Sequence, residues 1–308
     1  MRYIPLSNSV YNRNRRNFMD EMKGNSLAVF NSNDIYPVSA DSELPFEQHR
    51  DIFHLTGIDQ EETILLLYPA SKNYKTREIL FIRKSDNHTK VWEGEKLSKK
   101  QANELSGINN ICYVEDFKDI LSSIATKVDT FYINKNEHYR ANSPVETRED
   151  RFISWLLKKY PAHNIAKSNP ILQRQRSLKH PSEIDQIKRA CEITGKGFNR
   201  VLKFIKPNIW EYEIEAEFIH EFINNSSKGF AYSPIIASGN DNNVLHYIKN
   251  NKKCKSGELI LMDVGAEYGN YSSDMTRTVP VSGKFSKRQK QVYNAVLRVK
   301  NEATKLLT

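Results

Sequence analysis

Short runs of hydrophobic residues alternate with polar segments through the first half of the chain, and their lengths predict both strands and helices. Three apolar runs rich in β-forming residues predict strands at residues 26–30, 62–69 and 78–84. Residues 98–107 begin with a serine that can cap a helix and end on glycine, and residues 152–160 show an amphipathic helical pattern. This mixture of periods predicts a mixed α/β domain.

Helical periodicity dominates the start of the second half. Pro181 pre-sets the first turn of a long amphipathic helix whose apolar positions recur every three or four residues as far as Ile205 and which ends before Pro207. A second helix is predicted at residues 210–223. Ser286 can cap a third helix, and its apolar stripe continues to the last residue. The second half is therefore expected to hold long helices around a small group of strands.

Length and composition indicate an ordinary globular protein with two domains. The 308 residues suffice for two domains, which the change of pattern assigns to residues 1–174 and 175–308. No apolar run approaches the roughly 20 residues of a membrane helix, and no secretion signal is recognisable at the N-terminus. Cys112, Cys191 and Cys254 are widely separated, which predicts free thiols in a reducing compartment, with the cytoplasm as the expected location.

Charge and short motifs exclude several function classes. The net charge is +9, but the basic residues are scattered, which favours a lysine-rich solvated surface over a nucleic-acid site. His220 lies in a His-Glu-Phe sequence that lacks the second histidine of a zinc-binding HExxH helix, so a solvated helical histidine is expected. The chain contains no nucleophile elbow, dinucleotide-binding loop or phosphate-binding loop.

Two aspartates interrupt segments that otherwise resemble buried strands. Asp263 directly follows the apolar residues 259–262, and Asp274 lies eleven residues later. An ionised carboxylate removed from water costs several kcal/mol unless it is paired, hydrogen-bonded or bound to a metal ion. Some feature of the fold must therefore compensate both charges.

A tight turn between the two aspartates decides whether they can meet. Gly269 and Asn270 predict a two-residue hairpin turn between two strands at residues 258–268 and 271–281. If the turn is symmetric, Asp263 lies opposite Thr276, and Asp274 lies diagonal to Asp263 on the same face, at about 7–8 Å between α-carbons. A three-residue loop would instead send the two acids to opposite faces.

Two kinds of partner could compensate such a pair. Carboxylate oxygens suit divalent cations such as Mn, Mg, Co or Zn, and a cation between Asp263 and Asp274 would offset their repulsion. Alternatively, each aspartate could accept hydrogen bonds from turn amides or from a nearby arginine, with Arg277 and Arg50 as candidates. Spacing alone leaves both possibilities open.

Longer patterns produce a resemblance to a known family. Residues 263–278 read D-x-G-x-x-Y-x-x-Y-x-x-D-x-T-R-T and are followed by G-K-F, and the sequence ASGNDNNVLHY precedes them. Residues 179–198 carry KHPSEIDQIKRACEITGKGF, and the first half contains ADSELPFEQHRDIFHLTGIDQEETILLL and VWEGEKL. Through these segments, essentially the whole chain resembles the Xaa-Pro aminopeptidases (aminopeptidase P) of the pita-bread metallopeptidase family.

The resemblance implies a fold and a set of site residues. The expected fold is α/β (α+β), with an N-terminal aminopeptidase-P-type domain followed by the first half of a pita-bread, creatinase/aminopeptidase-like, catalytic domain. Asp263 would ligate one metal ion and Asp274 would bridge two divalent ions, with Mn expected first and Zn or Co as alternatives. His246 would be a catalytic histidine that contacts the substrate. Trp92 would contact substrate from the N-terminal domain, at a neighbouring subunit's site.

The implied reaction is hydrolysis of the bond between an N-terminal residue and a following proline by a hydroxide bridging two metal ions. The expected partners are a peptide with proline in second position and further copies of the chain, as a dimer or tetramer, without membrane or nucleic acid. In the family a histidine and two glutamates from the second half of the domain complete the ligand set. No matching segment is present before Thr308, so we expect a chain truncated within the catalytic domain and inactive alone.

Two other functions remain open at this stage. A non-catalytic pita-bread module could use the same fold to bind peptides or nucleic acid, although such a module has no need for two close acids. Prolidase, which hydrolyses dipeptides, would differ only in pocket residues that the sequence does not identify. Creatinase, which works without metal, is disfavoured by Asp263 and Asp274.

Overall fold

The computed structural model describes residues 2–138 and 143–307, which form two compact units. One unit comprises Pro5–His180, and the other comprises Pro181–Thr308 together with Met1–Ile4. Within the described ranges, none of the helices combines the length and the apolar character that a membrane span needs.

The first unit alternates helices and strands. Its elements in chain order are α1 (Asn8–Glu21), β1 (Ser26–Asn31), β2 (Pro37–Ser39), β3 (Ser42–Glu43), α2 (Arg50–Thr56), β4 (Ile64–Leu67), β5 (Glu78–Ile82), α3 (Asn87–Trp92), α4 (Lys99–Ser106), β6 (Ile111–Tyr113), α5 (Phe117–Ala125), β7 (Thr130–Ile133), α6 (Arg148–Lys159), β8 (Asn164–Lys167) and α7 (Asn169–Ser177).

A six-stranded mixed sheet forms the centre of this unit, in the order β6-β5-β4-β1-β7-β8. Strand β4 runs antiparallel to β1 and β5, whereas the other neighbouring pairs are parallel. Every residue of β1 is buried, and two separate hydrophobic clusters cover the two faces of the sheet. A sheet covered on both faces explains why its central strands read as continuous apolar runs rather than as alternating ones.

The elements predicted for the first unit are confirmed, with shifted ends. Strands occur in all three predicted runs as β1, β4 and β5, and α4 is capped by Ser98 and ends at Gly107 in the left-handed conformation. Helix α6 begins earlier than predicted, because Thr147 caps it and exchanges hydrogen bonds with Asp150. Ile171 and Leu172 of α7 are buried in this unit's core. The sequence places the domain boundary inside α7, between residues 174 and 175, and that assignment stays a prediction.

The second unit packs two long helices against a small sheet. Its elements are α8 (Pro181–Phe204), α9 (Glu211–Asn224), β9 (Ile235–Ser238), β10 (Leu259–Val264), β11 (Glu267–Tyr268), β12 (Tyr271–Ser272), β13 (Met275–Pro280) and α10 (Lys287–Thr304). Helices α8 and α9 match the two predicted helices to within about a turn. Helix α10 is capped by Ser286 as predicted, but it ends at Thr304 rather than at the last residue.

One face of the antiparallel sheet β13-β10-β9 is covered by helices α8 and α9. The opposite face, here called the open face, carries Leu261 and Asp263 of β10. Ile260, Met262 and Val264 alternate along β10 and are fully buried in the core beneath α8 and α9. The intervening residues, which include Leu261 and Asp263, are only partly buried. Since side chains alternate across a strand, Asp263 belongs to the open face.

All three cysteines are free thiols, as the sequence predicts. Cys254 is fully buried, and burial raises the pKa of its thiol to about 11. Cys254 therefore remains a protonated, unreactive core residue near neutral pH.

Candidate metal centre

The register of the aspartate strands is the one predicted from the sequence. Asp263 pairs with Thr276 on β13 and with Ile235 on β9. Gly269 and Asn270 both have positive φ, at 59° and 68°, which is the requirement for a two-residue hairpin turn that matches the strand twist. The symmetric turn is thus confirmed, and it places Asp274 diagonal to Asp263.

The two predicted strands are each broken in the middle, which the sequence did not indicate. The ladder stops at Gly265, where a Cβ atom would lie 1.9 Å from the carbonyl oxygen of Ser273. Instead of a backbone acceptor on the opposite strand, the amide of Ala266 donates to the hydroxyl oxygens of Thr194 (2.8 Å) and Ser273 (3.0 Å). The expectation of two continuous strands was wrong, because hydroxyls from α8 and the hairpin take the Ala266 amide, while the Ser273 amide still donates to the Ala266 carbonyl.

Gly265 also creates space for an aromatic ring beside the aspartates. Its carbonyl accepts a hydrogen bond from the amide of Ala231 at 2.8 Å, which holds the following residue, Tyr232, next to the break. A Cβ atom on Gly265 would lie 3.1 Å from Cε1 of Tyr232. The glycine therefore lets both the hairpin backbone and the Tyr232 ring approach closely.

The Tyr232 hydroxyl joins the two carboxylates. Its oxygen lies 2.6 Å from Oδ1 of Asp263 and 3.1 Å from Oδ1 of Asp274. Burial raises the pKa of Tyr232 far above its ordinary value, and the hydrogen bond to Asp263 and the charges of both acids add to the effect. The phenol is therefore a neutral donor in any ordinary buffer.

One hydroxyl cannot satisfy both acids. A phenol has a single hydrogen to donate, and the shorter contact assigns it to Asp263, so Asp274 gains little from the longer one. Among residues 2–138 and 143–307, no other side chain or amide is hydrogen-bonded to either carboxylate group. The two arginines considered as partners bind elsewhere: Arg277 donates to the carbonyl of Thr276, and Arg50 pairs with Glu47. The arrangement leaves negative charge that a cation could compensate, and the donor chemistry fits a divalent metal ion.

The expectation that both acids are sheltered was wrong for Asp274. Asp263 is partly buried, but Asp274 is exposed to solvent. Asp274 directly precedes β13, an edge strand of its sheet, whose residues Thr276 and Arg277 are exposed as well. Water therefore compensates part of the charge on Asp274.

His246 lies on the loop between β9 and β10. Its side chain is exposed, whereas the next residue, Tyr247, is buried and packs with Ile235, Ala237 and Leu261. Ile235 pairs with Asp263, and Leu261 is two residues before it on the same strand, so these residues share the open face. No hydrogen bond among the described residues links His246 to the aspartates, but its loop is anchored on the face that carries Asp263.

Trp92 is the last residue of α3 in the first unit, and its side chain is 74% exposed. A tryptophan side chain is more often a core residue, but this one lies at the surface, where its ring centroid is 5.9 Å from that of His88. It is therefore available to a partner molecule.

Sequence reasoning missed Tyr232 and the polar support of the His246 loop. The segment FAYSPIIASG offers no local signal for Tyr232, because its role depends on the glycine 33 residues later in the chain. Within the described ranges, no group of three or more His, Cys, Asp or Glu side chains is close enough to hold a metal ion, so the candidate site on these residues is limited to the two carboxylates.

Comparison with known proteins identifies the class of fold. Residues 185–308 match the sequence profile described as metallopeptidase family M24, and residues 11–132 match the profile of the aminopeptidase P N-terminal domain. These two matches occur in the order of the two units and define a chain with an aminopeptidase-P-type N-terminal domain followed by part of a pita-bread metallopeptidase domain. The expected fold class is confirmed.

Individual relatives make the assignment more specific. The chain is 29% identical over 298 residues to the Xaa-Pro aminopeptidase of Escherichia coli K12, an alignment that covers 95% of this chain and 66% of the relative. It superimposes on an aminopeptidase P structure from Bacillus anthracis with a TM-score of 0.89 and 30% identity, covering 95% of this chain and 70% of that one. Zn-substituted E. coli aminopeptidase P in complex with product gives a TM-score of 0.85 at 29% identity, covering 96% of this chain and 67% of that one. The chain belongs to the aminopeptidase P family, and it spans about two thirds of the length of these relatives.

Proposed function

We propose that the whole protein to which this chain belongs is a Xaa-Pro aminopeptidase, which hydrolyses the bond between an N-terminal residue and a following proline. The observation that carries the proposal is the convergence of Asp263 and Asp274, the two acids of the aminopeptidase P pattern, on the single hydroxyl of Tyr232. The names of the relatives support the substrate class, and family M24 supports a metal-dependent hydrolysis.

Asp263 and Asp274 would hold the metal. We propose two divalent ions, with Asp274 shared between them and Mn as the first ion to test; the Zn-substituted E. coli relative makes Zn the next. Such ions would activate a water molecule for attack and polarise the scissile carbonyl. The Tyr232 hydroxyl fixes the orientation of Asp263 by hydrogen bonding to Oδ1, a support that metal-binding carboxylates commonly have.

His246 and Trp92 would act on the substrate. The exposed imidazole of His246 is free to donate a hydrogen bond to a peptide on the open face, because the buried Tyr247 anchors its loop there. The exposed indole of Trp92 supports its proposed presentation to the site of a neighbouring subunit, in a homodimer or homotetramer. A proline in second position has no amide hydrogen, so recognition must rely on the shape of the ring and on the carbonyl groups.

Metal binding is the most direct test of the carboxylate pair. Titration of this chain with MnCl₂ in a calorimeter should show weak binding, and Asp263→Asn or Asp274→Asn should each reduce the affinity by at least about tenfold, because each removes one of two charged ligands. Asp185→Asn is the matched control, since Asp185 is exposed and forms an ion pair with Lys188 on the same helix. Mn binding that survives both amide substitutions would contradict the assignment.

Peptide hydrolysis then separates the possible functions. In the whole protein, release of the first residue from a Gly-Pro-Ala tripeptide, dependent on Mn and on both aspartates, would establish Xaa-Pro aminopeptidase activity. Preference for the Gly-Pro dipeptide would identify prolidase instead. Binding of the tripeptide without turnover, unaffected by either aspartate substitution, would indicate a non-catalytic module.

A further inference from the structure

Glu211 is a buried carboxylate that the proposed chemistry does not use. It is the first residue of α9, and its side chain is 0% exposed. A buried carboxylate that lacks compensation is strongly unfavourable. No lysine, arginine or histidine in the described part of the chain forms an ion pair with it, so hydrogen-bond donors must stabilise it.

Four donors surround the Glu211 carboxylate. Its Oε1 accepts from the amide and the hydroxyl of Ser238, both at 2.7 Å. Its Oε2 accepts from the hydroxyl of Tyr247 at 2.8 Å and from the amide of Lys252 at 2.9 Å. Each oxygen thus accepts two short hydrogen bonds, which together satisfy both oxygens of the buried carboxylate.

The donors come from the start, the middle and the end of one loop. Ser238 ends β9, Tyr247 follows His246 directly, and Lys252 precedes the return to β10. The backbone reinforces the attachment, because the amide of Glu211 donates to the carbonyl of Lys252 at 2.9 Å. A single side chain therefore fixes residues 238–252 at three points.

A second glutamate on the same helix extends the anchor. Glu215, one turn after Glu211, accepts from Nδ2 of Asn250 at 2.8 Å. The Oδ1 atom of Asn250 accepts from the amide of Ile236 at 3.0 Å. Between these attachments, His246 and Leu245 remain exposed, Leu245 at 83%. The loop is thus held rigidly at its base and presents its tip to solvent.

We propose that Glu211 is a positioning residue that fixes His246 over the open face of the sheet. The Tyr247 hydroxyl is the link, since Glu211 holds it while the Tyr247 ring packs on Ile235 and Leu261 beside Asp263. Rotation of Tyr247 would carry the neighbouring His246 away from this face. The inference rests on the proposed function for the role of His246, but the mechanical link itself does not require any activity.

Glu211→Gln is the informative substitution because it keeps the shape and removes the charge. Whichever way the amide is oriented, its NH₂ group faces two donors, either those of Ser238 or those of Tyr247 and Lys252. Glu217→Gln is the matched control: it lies on the same helix, but its carboxylate contacts Arg200 and not the loop. Tyr247→Phe removes only the central hydroxyl and retains the packed ring.

Two measurements on the metal-free chain test the link. Amide hydrogen exchange followed by mass spectrometry should be at least about tenfold faster for residues 239–252 in Glu211→Gln, the population change that corresponds to one charge-assisted hydrogen bond. The imidazole resonance of His246, assigned with His246→Ala, should shift or broaden in Glu211→Gln and in Tyr247→Phe. Glu217→Gln should leave both signals as in the wild type.

The possible outcomes decide between positioning and general stability. Loop exchange and a His246 resonance identical to the wild type in Glu211→Gln would overturn the proposal. Faster exchange spread evenly over the whole unit, with an unchanged His246 signal in Tyr247→Phe, would also overturn it, because Glu211 would then be a fold-stabilising residue only. If Glu211→Gln does not fold, Tyr247→Phe carries the test alone. Mn affinity measured in parallel reports separately on the aspartates, so failure of the metal assignment and failure of this inference are distinguishable.

Discussion

Gly265 is the position at which the hairpin is least able to accept a side chain, and Gly265→Ala tests the geometry of the aspartate pair. The new Cβ would lie 1.9 Å from the carbonyl oxygen of Ser273 and 2.7 Å from its carbonyl carbon. A carbon–oxygen contact needs about 3.3 Å, so the two segments must separate by about 1.4 Å. The obstacle is backbone, which cannot rotate away.

The cost of this separation can be worked out from the contacts that it breaks. Steric overpacking typically costs 1–3 kcal/mol, and the hydrogen bond from the Ser273 amide to the Ala266 carbonyl, at 3.0 Å, contributes about 1 kcal/mol more. We therefore expect a loss of about 2–4 kcal/mol in the free energy of unfolding of the second unit. For a unit of this size the melting temperature should fall by roughly 10–20 °C. Mn affinity should fall as well, because Asp274 moves away from Asp263.

Two other glycines in α8 provide the controls. A Cβ on Gly195 would meet nothing within 4 Å, so Gly195→Ala should raise stability by about 0.5–1 kcal/mol through helix propensity. Gly197→Ala should be intermediate, since its Cβ would meet the side chains of Phe222 and Phe218 at 2.8 and 2.9 Å. Urea unfolding followed by circular dichroism ranks the three variants. A Gly265→Ala protein as stable as Gly195→Ala would refute the close approach and, with it, the placement of Asp274.

Two further substitutions probe single groups. Tyr232→Phe should lower metal-free stability by about 1–2 kcal/mol and reduce the stabilisation that Mn provides in a thermal-shift assay, because Asp263 loses the hydrogen bond that fixes its orientation; an equal Mn effect in both proteins would contradict this. Burial raises the pKa of the Glu149 carboxyl to about 6 from 4.5, so the folded state binds the proton more tightly than the unfolded state. Glu149 should therefore contribute up to about 2 kcal/mol to the free energy of unfolding. This contribution is present below pH 4.5 and is lost as the pH rises to 6. Urea unfolding of Glu149→Gln should lack this part of the pH dependence, whereas an unchanged profile would assign it to other groups.

Local signals in the sequence were sufficient for the hairpin register. Gly269 and Asn270 tolerate positive φ, and the two-residue turn that they form fixes every pairing back to Asp263 and Thr276. Helix starts were equally readable wherever a serine or proline stood at the first turn. These features depend only on residues close in the chain.

The remaining parts of the site depend on contacts between distant residues. Tyr232 reaches the aspartates only because Gly265 leaves space for its ring, and Thr194 on α8 supplies the hydroxyl that replaces the missing ladder bond. No pattern within the segment reveals that Asp274 is exposed while Asp263 is partly buried. Glu211 resembles an ordinary residue of a helical first turn until the fold brings the loop against it.

The open face of the β9–β10 pair unites these distant contributions. On its covered side, β10 presents Met262 to the core, while its open side carries Asp263 beside the packed ring of Tyr247. One shared hydroxyl proton leaves the two acids under-compensated, and one buried carboxylate with four donors holds the loop that carries His246. The first arrangement leaves charge that a cation could compensate, and the second attaches the base of the His246 loop to α9. A strand that separates core and site by simple alternation can therefore tolerate an unfavourable charge arrangement on one face without weakening the packing on the other.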